Sequence, residues 1–275
     1  MTTLQETGPL KAGPPGNAAA ALPQEPGARP APHPPLTAYY PAAADRDGFV
    51  RRIFDRTAPS YERINAAFSF GSGAWYRRNA LRRAGLRPGQ VLLDVAVGTG
   101  LVAREAVRIL GRPAAVTGLD LSEGMLREAR RALAIPLIRG RAEALPIGDG
   151  RMDFISMGYA LRHVPDLAAT FAEYHRVLRP GGRLLLLEIR RPRARLGRLA
   201  LQAYLGRIVP AVSRWLGGGE QAATLMRYYW DTIEACVPGS VIEQAMAEAG
   251  FTEVACEVQF GIFCAYTARR PAATA

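Results

Sequence analysis

The chain has 275 residues, 49% of them hydrophobic, so it can bury the core of one ordinary domain and is not disordered throughout. Its net charge of +11 indicates attraction to an anionic partner, whether nucleic acid, an acidic membrane surface or a phosphorylated metabolite. The three cysteines lie far apart with no C-x-x-C pair, which argues against a disulfide framework and a zinc site, and no metal site is predicted.

Residues 1 to about 45 are rich in Pro, Ala and Gly and carry few large apolar side chains. Such a segment buries too little surface to offset the entropy lost on ordering, so we predict a disordered or polyproline-like tail. A transit peptide is less favoured, because the prolines would break its amphipathic helix. No secretory signal is recognised and no apolar run approaches the roughly 20 residues that cross a bilayer, so we expect a cytoplasmic protein.

From residue 46 to about 270, short apolar runs alternate with helical periods, which is typical of a parallel sheet covered by helices. The predicted fold class is α/β, a single doubly wound domain with a seven-stranded, mostly parallel sheet, an N-terminal helical segment and a helical lid at about 196–235. The predicted strands are 91–95, 115–120, 136–139, 153–158, 183–189, 252–258 and 260–268. After the N-terminal helical segment, the predicted helices are 101–110, 123–133, 167–178, 196–216, 220–235 and 240–249.

The first predicted strand leads through the turn Gly98-Thr99-Gly100 into a helix. Glycines let the backbone approach a ligand closely, and the helix N-terminus offers free N–H groups. Asp120, at the end of the second strand, can accept hydrogen bonds from both hydroxyls of a ribose. Because Gly98-x-Gly100-x-x-Ala103 also satisfies the dinucleotide fingerprint, NAD and S-adenosylmethionine both remain candidates at this point.

Three features favour S-adenosylmethionine. Asp94 puts a carboxylate at the mouth of the turn, where it attracts the cationic amino-acid end of that cofactor and repels a pyrophosphate. The only lysine is Lys11, which excludes the Tyr-x-x-x-Lys pair of short-chain dehydrogenases from the folded part. The segments 142–146 and 177–183 resemble conserved blocks of class I methyltransferases, although Pro180-Gly181-Gly182 within the second is interpreted as a tight turn only.

A narrower resemblance covers about residues 49–258. The stretches that carry it are Phe54-Asp55-Arg56-x-Ala58-x-x-Tyr61-Glu62-Arg63-Ile64-Asn65, Phe68-Ser69-Phe70-Gly71, Trp75, Ala142-Glu143-Ala144-Leu145-Pro146, Leu161-Arg162 and Glu188. They resemble the ubiquinone/menaquinone C-methyltransferase family, whose own pattern also has Ala at the position of Ala96.

The resemblance implies S-adenosylmethionine as cofactor and a lipid-linked quinol as carbon acceptor. In the family, an Arg and a Tyr face the quinol, and here they correspond to Arg162 and Tyr61. His163 replaces a family Asn and is a candidate base because histidine titrates near neutrality, or else a capping or core residue. The implied cofactor contacts are Asp94, Ala96, Gly98, Thr99, Gly100, Asp120, Leu121, Met125, Arg141, Ala142 and Glu143, the last of which could equally be a solvated surface charge.

Several positions depart from the family pattern. Val97 and Leu101 stand where it has Gly and Asp, Arg141 where it has Asp or Asn, and Tyr159-Ala160 where it has Phe-Gly. These positions touch both pockets, so other small-molecule or lipid acceptors, transfer of a group other than methyl from S-adenosylmethionine, RNA, and a non-catalytic partner protein that keeps the fold remain alternatives. Nucleic acid is disfavoured, because the Asn-Pro-Pro-Tyr type of motif and an appended RNA-binding module are both missing.

The arginines at 190–195 precede an amphipathic helical stretch. Basic residues beside such a helix suit peripheral contact with an anionic membrane, where a polyprenyl substrate is found. The alternative is a lid that packs on the core, with the arginines solvated. The sequence is compatible with a homo-oligomer and does not define its size. The apolar positions of the stretch are Leu196, Leu199, Leu205, Ile208, Val209, Val212, Trp215 and Leu216.

Overall fold

The computed structural model describes residues 31–69, 72–214 and 219–273. The strands are β1 (Leu92–Val95), β2 (Val116–Asp120), β3 (Leu137–Arg139), β4 (Met152–Gly158), β5 (Leu178–Ile189), β6 (Thr252–Gln259) and β7 (Phe263–Arg269). They form one seven-stranded sheet in the order β3-β2-β1-β4-β5-β7-β6. All pairings are parallel except the two made by β7, which runs antiparallel to β5 and β6. The predicted α/β class and mostly parallel seven-stranded sheet are therefore confirmed.

Nine helices surround the sheet in the described part of the chain, and none of them is long and apolar enough to cross a bilayer. A π-helical turn at Tyr204–Ile208 joins the sixth to the seventh. The helices are α1 (Arg46–Ser69), α2 (Ser72–Arg83), α3 (Leu101–Leu110), α4 (Glu123–Ala132), α5 (Leu167–Val177), α6 (Arg195–Ala203), α7 (Val209–Ser213), α8 (Gly219–Ala235) and α9 (Gly239–Glu248).

Both faces of the sheet are buried, which agrees with the near-continuous apolar sequences of its central strands. On one face, Phe171 of α5 and Met246 of α9 pack against the sheet with no exposed surface. On the other face, Leu81 of α2 and Ala106 of α3 do the same. Two helical layers around one sheet give the doubly wound arrangement, which brings the carboxyl ends of the parallel strands to a common edge.

Local sequence signals define most helix ends. Ser122 caps α4, its hydroxyl accepting a hydrogen bond from the Met125 N–H at 3.1 Å, as an N-cap serine is expected to do. Asp166 caps α5 in the same way through Ala169. Gly111 ends α3 at φ +68°, a conformation that favours glycine.

Some boundaries differ from the sequence prediction: β7 begins at Phe263 rather than at residue 260, and the π-helical turn interrupts the predicted helix 196–216. β5 begins at Leu178, which pairs with Met152, whereas the Pro-Gly-Gly turn signal predicts a start at Arg183. The signal reflects a real irregularity, because Gly181 has φ +79° and the β4–β5 register shifts nearby. The predicted lid helices are present as α6 to α8, but Trp215 and Leu216 lie outside the described residues.

The segment before α1 also differs from the predicted tail, which extends to about residue 45. His33 and Tyr40 are only 1% and 2% exposed, and Tyr39 donates a hydrogen bond to a carboxylate of α8 at 2.5 Å. Aromatic side chains concentrated here supply apolar area that the average composition of the whole stretch conceals. The rest of the predicted tail, residues 1–30, lies outside the described residues.

Helix α1 crosses the start of α4. The Asp55 carboxylate accepts hydrogen bonds from the Gly124 N–H at 2.8 Å and from the Ser122 hydroxyl at 2.6 Å. A Cβ atom on residue 124 would lie 2.7 Å from the carbonyl oxygen of Asp55, so this approach requires glycine. The contact holds α1 over the edge of the sheet where β2 ends.

We expect Gly124→Ala to lower the free energy of unfolding by about 1–3 kcal/mol, because the added methyl group forces α1 away from α4. Gly148→Ala is the matched control, since its Cβ would meet only the Arg151 side chain at an ordinary 3.5 Å. Urea unfolding of both variants measures the difference. Equal stabilities would show that α1 does not rest on α4 in solution.

Candidate cofactor and acceptor site

A cavity opens at the carboxyl ends of β1, β2 and β4, beneath α1. It encloses about 810 Å³ of space, including the solvent at its mouth. Doubly wound sheets bind ligands at this edge. Eight of the predicted cofactor contacts line it: Ala96, Gly98, Asp120, Leu121, Met125, Arg141, Ala142 and Glu143.

The turn after β1 carries strained backbone. Ala96 has φ +53°, rare for a residue with a Cβ and a feature that concentrates at functional sites. Gly98 has φ +56° and open space around its missing side chain, so a ligand can approach its backbone. Gly100 does not line the cavity, because its Cβ position is filled by Leu133, 2.6 Å away. Gly100 therefore serves packing, and Gly98 is the glycine that faces the cavity.

Asp120 lies at the cavity wall and organises the same turn. Its two carboxylate oxygens accept the N–H groups of Gly98 and Ser122, each at 2.8 Å. Burial raises the pKa of Asp120 to about 6. Each oxygen keeps a further lone pair, so the carboxylate can still accept hydrogen bonds from ligand hydroxyls.

Asp94 lies deeper than the sequence predicts. Its side chain is 1% exposed and lies behind the cavity lining, because Asp94 is within β1 and is enclosed by the neighbouring strands. The Ser156 hydroxyl donates to its Oδ1 at 2.7 Å, and the Ala103 N–H at the start of α3 also favours the charged form, but Oδ2 has no donor in good hydrogen-bond geometry among the described residues. Burial raises the pKa of Asp94 to about 7. The buried hydroxyl of Thr99, which also does not line the cavity, has no described partner either.

These unsatisfied atoms fit the predicted cofactor. A buried carboxylate oxygen without a donor costs free energy, which a cationic ammonium group of a ligand would offset. The hydroxyl of Thr99 supplies a second polar group beside the Gly98 turn. The unsatisfied carboxylate of Asp94 matches the ammonium group of S-adenosylmethionine. The exposed backbone of Gly98 matches the rest of its amino-acid end, and the carboxylate of Asp120 on the next strand matches its ribose.

Arg141 and Glu143 form an ion-paired rim. The Arg141 guanidinium contacts Glu143 and, at 2.5 Å, Asp47 of α1, while its own side chain is 45% exposed. The Glu143 side chain is only 15% exposed and lines the cavity, so it is not a solvated surface charge. The rim therefore joins α1 to the loop after β3.

The other half of the cavity is aromatic. The hydroxyl groups of Tyr61 and Tyr229 lie 3.1 Å apart, and the ring of Phe54 meets the ring of His163 edge-on at 5.4 Å. All four residues line the cavity, together with Tyr159, whose φ is +61°. Of these five, Tyr61 and His163 were assigned a role from the sequence, Phe54 and Tyr159 stand in the motifs without an assigned role, and Tyr229 is not indicated at all. Tyr229 had no signal beyond its place in an apolar helix.

His163 does not titrate near neutrality, contrary to the expectation for an ordinary histidine. Burial and the positive charges of Arg162 and Arg46 lower its pKa well below the usual value, so the ring is neutral at physiological pH. Neither ring nitrogen has a described hydrogen-bond partner, although the ring lines the cavity. A capping role is therefore not supported, and both nitrogens are buried and unsatisfied beside the cavity.

Arg162 does not line this cavity. Its side chain is 1% exposed and donates to Glu188 at 2.7 Å, and its guanidinium lies 5.1 Å from the centre of the Tyr229 ring. It reaches the aromatic wall through Tyr229, in cation–π geometry. Direct contact with an acceptor, as the resemblance implies, is not what the structure has.

The fold and this site define a class I S-adenosylmethionine-dependent methyltransferase. Residues 42–270 match the ubiE/COQ5 methyltransferase family. The chain belongs to this family and uses S-adenosylmethionine as its cofactor.

Curated relatives support the assignment along most of the chain. The demethylmenaquinone methyltransferase of Symbiobacterium thermophilum is 32% identical, covering 78% of this chain and 88% of the relative. The ubiquinone/menaquinone biosynthesis C-methyltransferase UbiE of Geobacter sulfurreducens is 33% identical, covering 80% and 88%.

Solved structures share the fold. An S-adenosylmethionine-dependent methyltransferase of Thermotoga maritima superimposes with a TM-score of 0.57 at 21% identity, covering 80% of this chain and 99% of that one. The phosphoethanolamine N-methyltransferase 2 of Haemonchus contortus, in complex with S-adenosylmethionine, gives 0.56 at 18% identity, covering 79% and 57%. At these identities the likeness concerns the fold alone.

Proposed function

We propose that this methyltransferase acts on a ring carbon of a polyprenylated benzoquinol or naphthoquinol in quinone biosynthesis. The observation that carries the proposal is the aromatic half of the cavity, which continues directly from the half formed by the Gly98 turn and Asp120. A flat quinol ring would lie against the wall formed by the mutually contacting rings of Phe54, His163 and Tyr229. The names of the two curated relatives support this class of acceptor.

The cofactor half would hold S-adenosylmethionine through the groups described above. Asp94 would neutralise the ammonium group, Asp120 would accept the ribose hydroxyls, and the loop from Arg141 to Glu143 would border the adenine. When bound, the cofactor supplies a methyl group on a sulfonium that is a good leaving group. The protein then has to align the acceptor carbon and exclude water, which the closure of α1 over the cavity favours.

The acceptor carbon becomes nucleophilic when the neighbouring phenol gives up its proton. His163 can accept a hydrogen bond from that phenol, because its ring is neutral and its nitrogens are unpartnered. The linked hydroxyls of Tyr61 and Tyr229 provide a second hydrogen-bonding position on the same wall. Arg162 adds a positive charge behind Tyr229, which favours a phenolate in the cavity.

A polyprenyl acceptor resides in lipid, so we further propose a cytoplasmic protein that works peripherally at an anionic membrane surface. The excess of arginine supports such a contact, because basic residues are attracted to acidic headgroups.

Mass spectrometry of the quinone pool in a strain that lacks this protein tests the function. We expect a precursor one methyl group lighter to accumulate, and the wild-type gene to restore the mature quinone. A second arm incubates the purified protein with S-adenosylmethionine and a quinol without a tail, and follows the methylated product. An unchanged quinone pool together with no turnover on any quinol would refute the proposed acceptor.

Asp120→Ala should weaken cofactor binding by more than tenfold, because it removes charge-assisted hydrogen bonds to the ribose. The same change also frees the N–H groups of Gly98 and Ser122, which would loosen the turn. Asp120→Asn is the matched variant, since it keeps one acceptor oxygen but no charge. In calorimetry, wild type should bind the cofactor most tightly, Asp120→Asn less tightly and Asp120→Ala most weakly. Unchanged affinity in both variants would mean that the cofactor lies elsewhere.

A further inference from the structure

Helix α6 leaves much of its apolar side exposed. None of its residues is buried, and its leucines Leu196 and Leu199 are 80% and 53% exposed. Its less exposed side is mixed, with the half-buried Leu201 beside an ion pair between Arg198 and Glu234 of α8. A surface helix normally buries its apolar side and solvates its charged side. The exposed leucines therefore form an apolar ridge with no partner in the described part of the chain.

The sequence around α6 is uniformly basic. From residue 189 to 218 the chain has seven arginines and no aspartate or glutamate. Three of the arginines pair with glutamates of α8, namely Arg191, Arg198 and Arg214. The other four make no ion pair with any residue in the described ranges, and they are Arg190, Arg193, Arg195 and Arg207.

Several of these arginines converge on a second cavity, between α6 and α9. Arg190, Arg193 and Arg195 line it beside two glutamates, one of which is already paired with Arg162. Planar guanidinium groups match the oxygens of a phosphate and are the preferred side chains for binding it. The cavity is therefore suited to a phosphate-bearing group that arrives from outside.

The cavity and the leucines lie at the same edge of the sheet as the acceptor site. Arg190 directly follows β5, which runs parallel to β4, so both strands end at this edge. The Arg190 N–H donates to the carbonyl of Ile262 at 2.8 Å, which brings the β6–β7 turn alongside. Phe260 in that turn is 82% exposed. Exposed apolar side chains therefore flank the unpaired arginines on both sides.

We propose that this docking surface, formed by Arg190, Arg193, Arg195, Leu196, Leu199 and Phe260, seats the enzyme on an anionic phospholipid bilayer. Lipid phosphates occupy the arginine-lined cavity, while Leu196, Leu199 and Phe260 enter the boundary between headgroups and acyl chains. The proposal rests on the proposed lipid-linked acceptor, because it turns the acceptor cavity toward the lipid. A bilayer is favoured over RNA because leucines alternate with the basic residues, and over a second copy because the surface would face like charge.

Flotation of the full chain with phosphatidylcholine vesicles, with and without phosphatidylglycerol, tests the proposal. Wild type should bind only the acidic vesicles and should release them at high salt. R193Q/R195Q should weaken binding roughly twentyfold, since each surface arginine contributes about fivefold. R87Q/R112Q is the charge-matched control, because Arg87 and Arg112 are exposed before β1 and β2, at the opposite edge of the sheet. L196S/L199S should weaken binding at least tenfold with the charge unchanged.

Turnover on a quinol without a tail, measured in free solution, separates this surface from the catalytic site. We expect all of these variants to retain wild-type turnover there. Wild type that turns over this quinol but ignores acidic vesicles would overturn the docking surface and leave the proposed function intact. Vesicle binding without turnover on any quinol would support the docking surface and refute the proposed acceptor. The docking surface would also be overturned if R87Q/R112Q lost as much vesicle binding as R193Q/R195Q. The same holds if wild type is a dimer that L196S/L199S dissociates while vesicle binding persists, or if wild type binds RNA tightly and does not bind vesicles.

Discussion

Asp94→Asn is expected to weaken S-adenosylmethionine binding by about thirtyfold or more, because loss of one member of a buried charge pair typically costs about 2–5 kcal/mol. The wild-type carboxylate is 1% exposed and has an oxygen with no described donor, so a bound ammonium would be its principal compensation. Calorimetry at fixed pH measures the loss. Asp149→Asn, which alters a carboxylate that is 79% exposed, should leave affinity unchanged.

The pH dependence gives the same prediction a second measurement. Burial raises the pKa of Asp94 to about 7 in the cofactor-free protein, so the carboxyl is increasingly protonated below that pH. Binding a cation then requires the loss of one proton, and affinity should fall by about tenfold per pH unit below about pH 7. Asp120, with its pKa raised to about 6, steepens the decline at lower pH. Asp94→Asn should flatten the upper part of this profile, and a flat wild-type profile would contradict the assignment.

The stability of the cofactor-free protein should rise as pH falls, whereas its affinity for the cofactor should fall. A folded-state pKa above the unfolded value of 3.8 means that Asp94 favours the fold when protonated, and that this contribution is lost as pH rises through about 7. At about pH 8, Asp94→Asn should therefore raise the free energy of unfolding, by about 1–3 kcal/mol after the cost of a buried amide. A variant that is more stable yet does not bind the cofactor would show that lost binding is not lost folding.

The elements that carry the cofactor turn could be predicted from local sequence. The apolar run of β1 ends just before Gly98, and Ser122 starts α4 as a capping residue should. Both signals act over a few residues, so neither depends on the rest of the fold. Asp120 could be assigned for the same reason, because a residue at the end of a parallel strand faces the ligand edge.

The acceptor half could not be predicted in this way. Tyr61 and Tyr229 meet although they are 168 positions apart, and nothing near either residue indicates the other. Burial under the folded chain, and then the charges of Arg162 and of Arg46 on α1, lower the pKa of His163, so a typical histidine pKa was the wrong expectation. Burial of His33 likewise depends on long-range packing that composition cannot reveal. Aromatic contacts across the fold, rather than motifs, therefore shape the acceptor wall.

Arg162→Met is expected to lower the free energy of unfolding by about 3–5 kcal/mol, because it leaves Glu188 charged, 5% exposed and without its partner. R162M/E188Q should recover much of this loss, since no unpaired charge is then buried. Arg131→Met, at an ion pair whose arginine is 73% exposed, should change stability by less than about 1 kcal/mol and serves as the control. Urea unfolding measures all three.

Turnover separates the positioning role of Arg162 from its structural one. In the refolded double variant, kcat on a quinol should remain at least tenfold below wild type, because the positive charge behind Tyr229 that favours the phenolate is missing. The cofactor Kd should be unchanged, since the guanidinium does not line the cofactor cavity. Because a phenolate is formed less readily without that charge, kcat should also reach its plateau at higher pH than in wild type. A double variant that regains both stability and wild-type kcat would reduce Arg162 to a structural partner of Glu188.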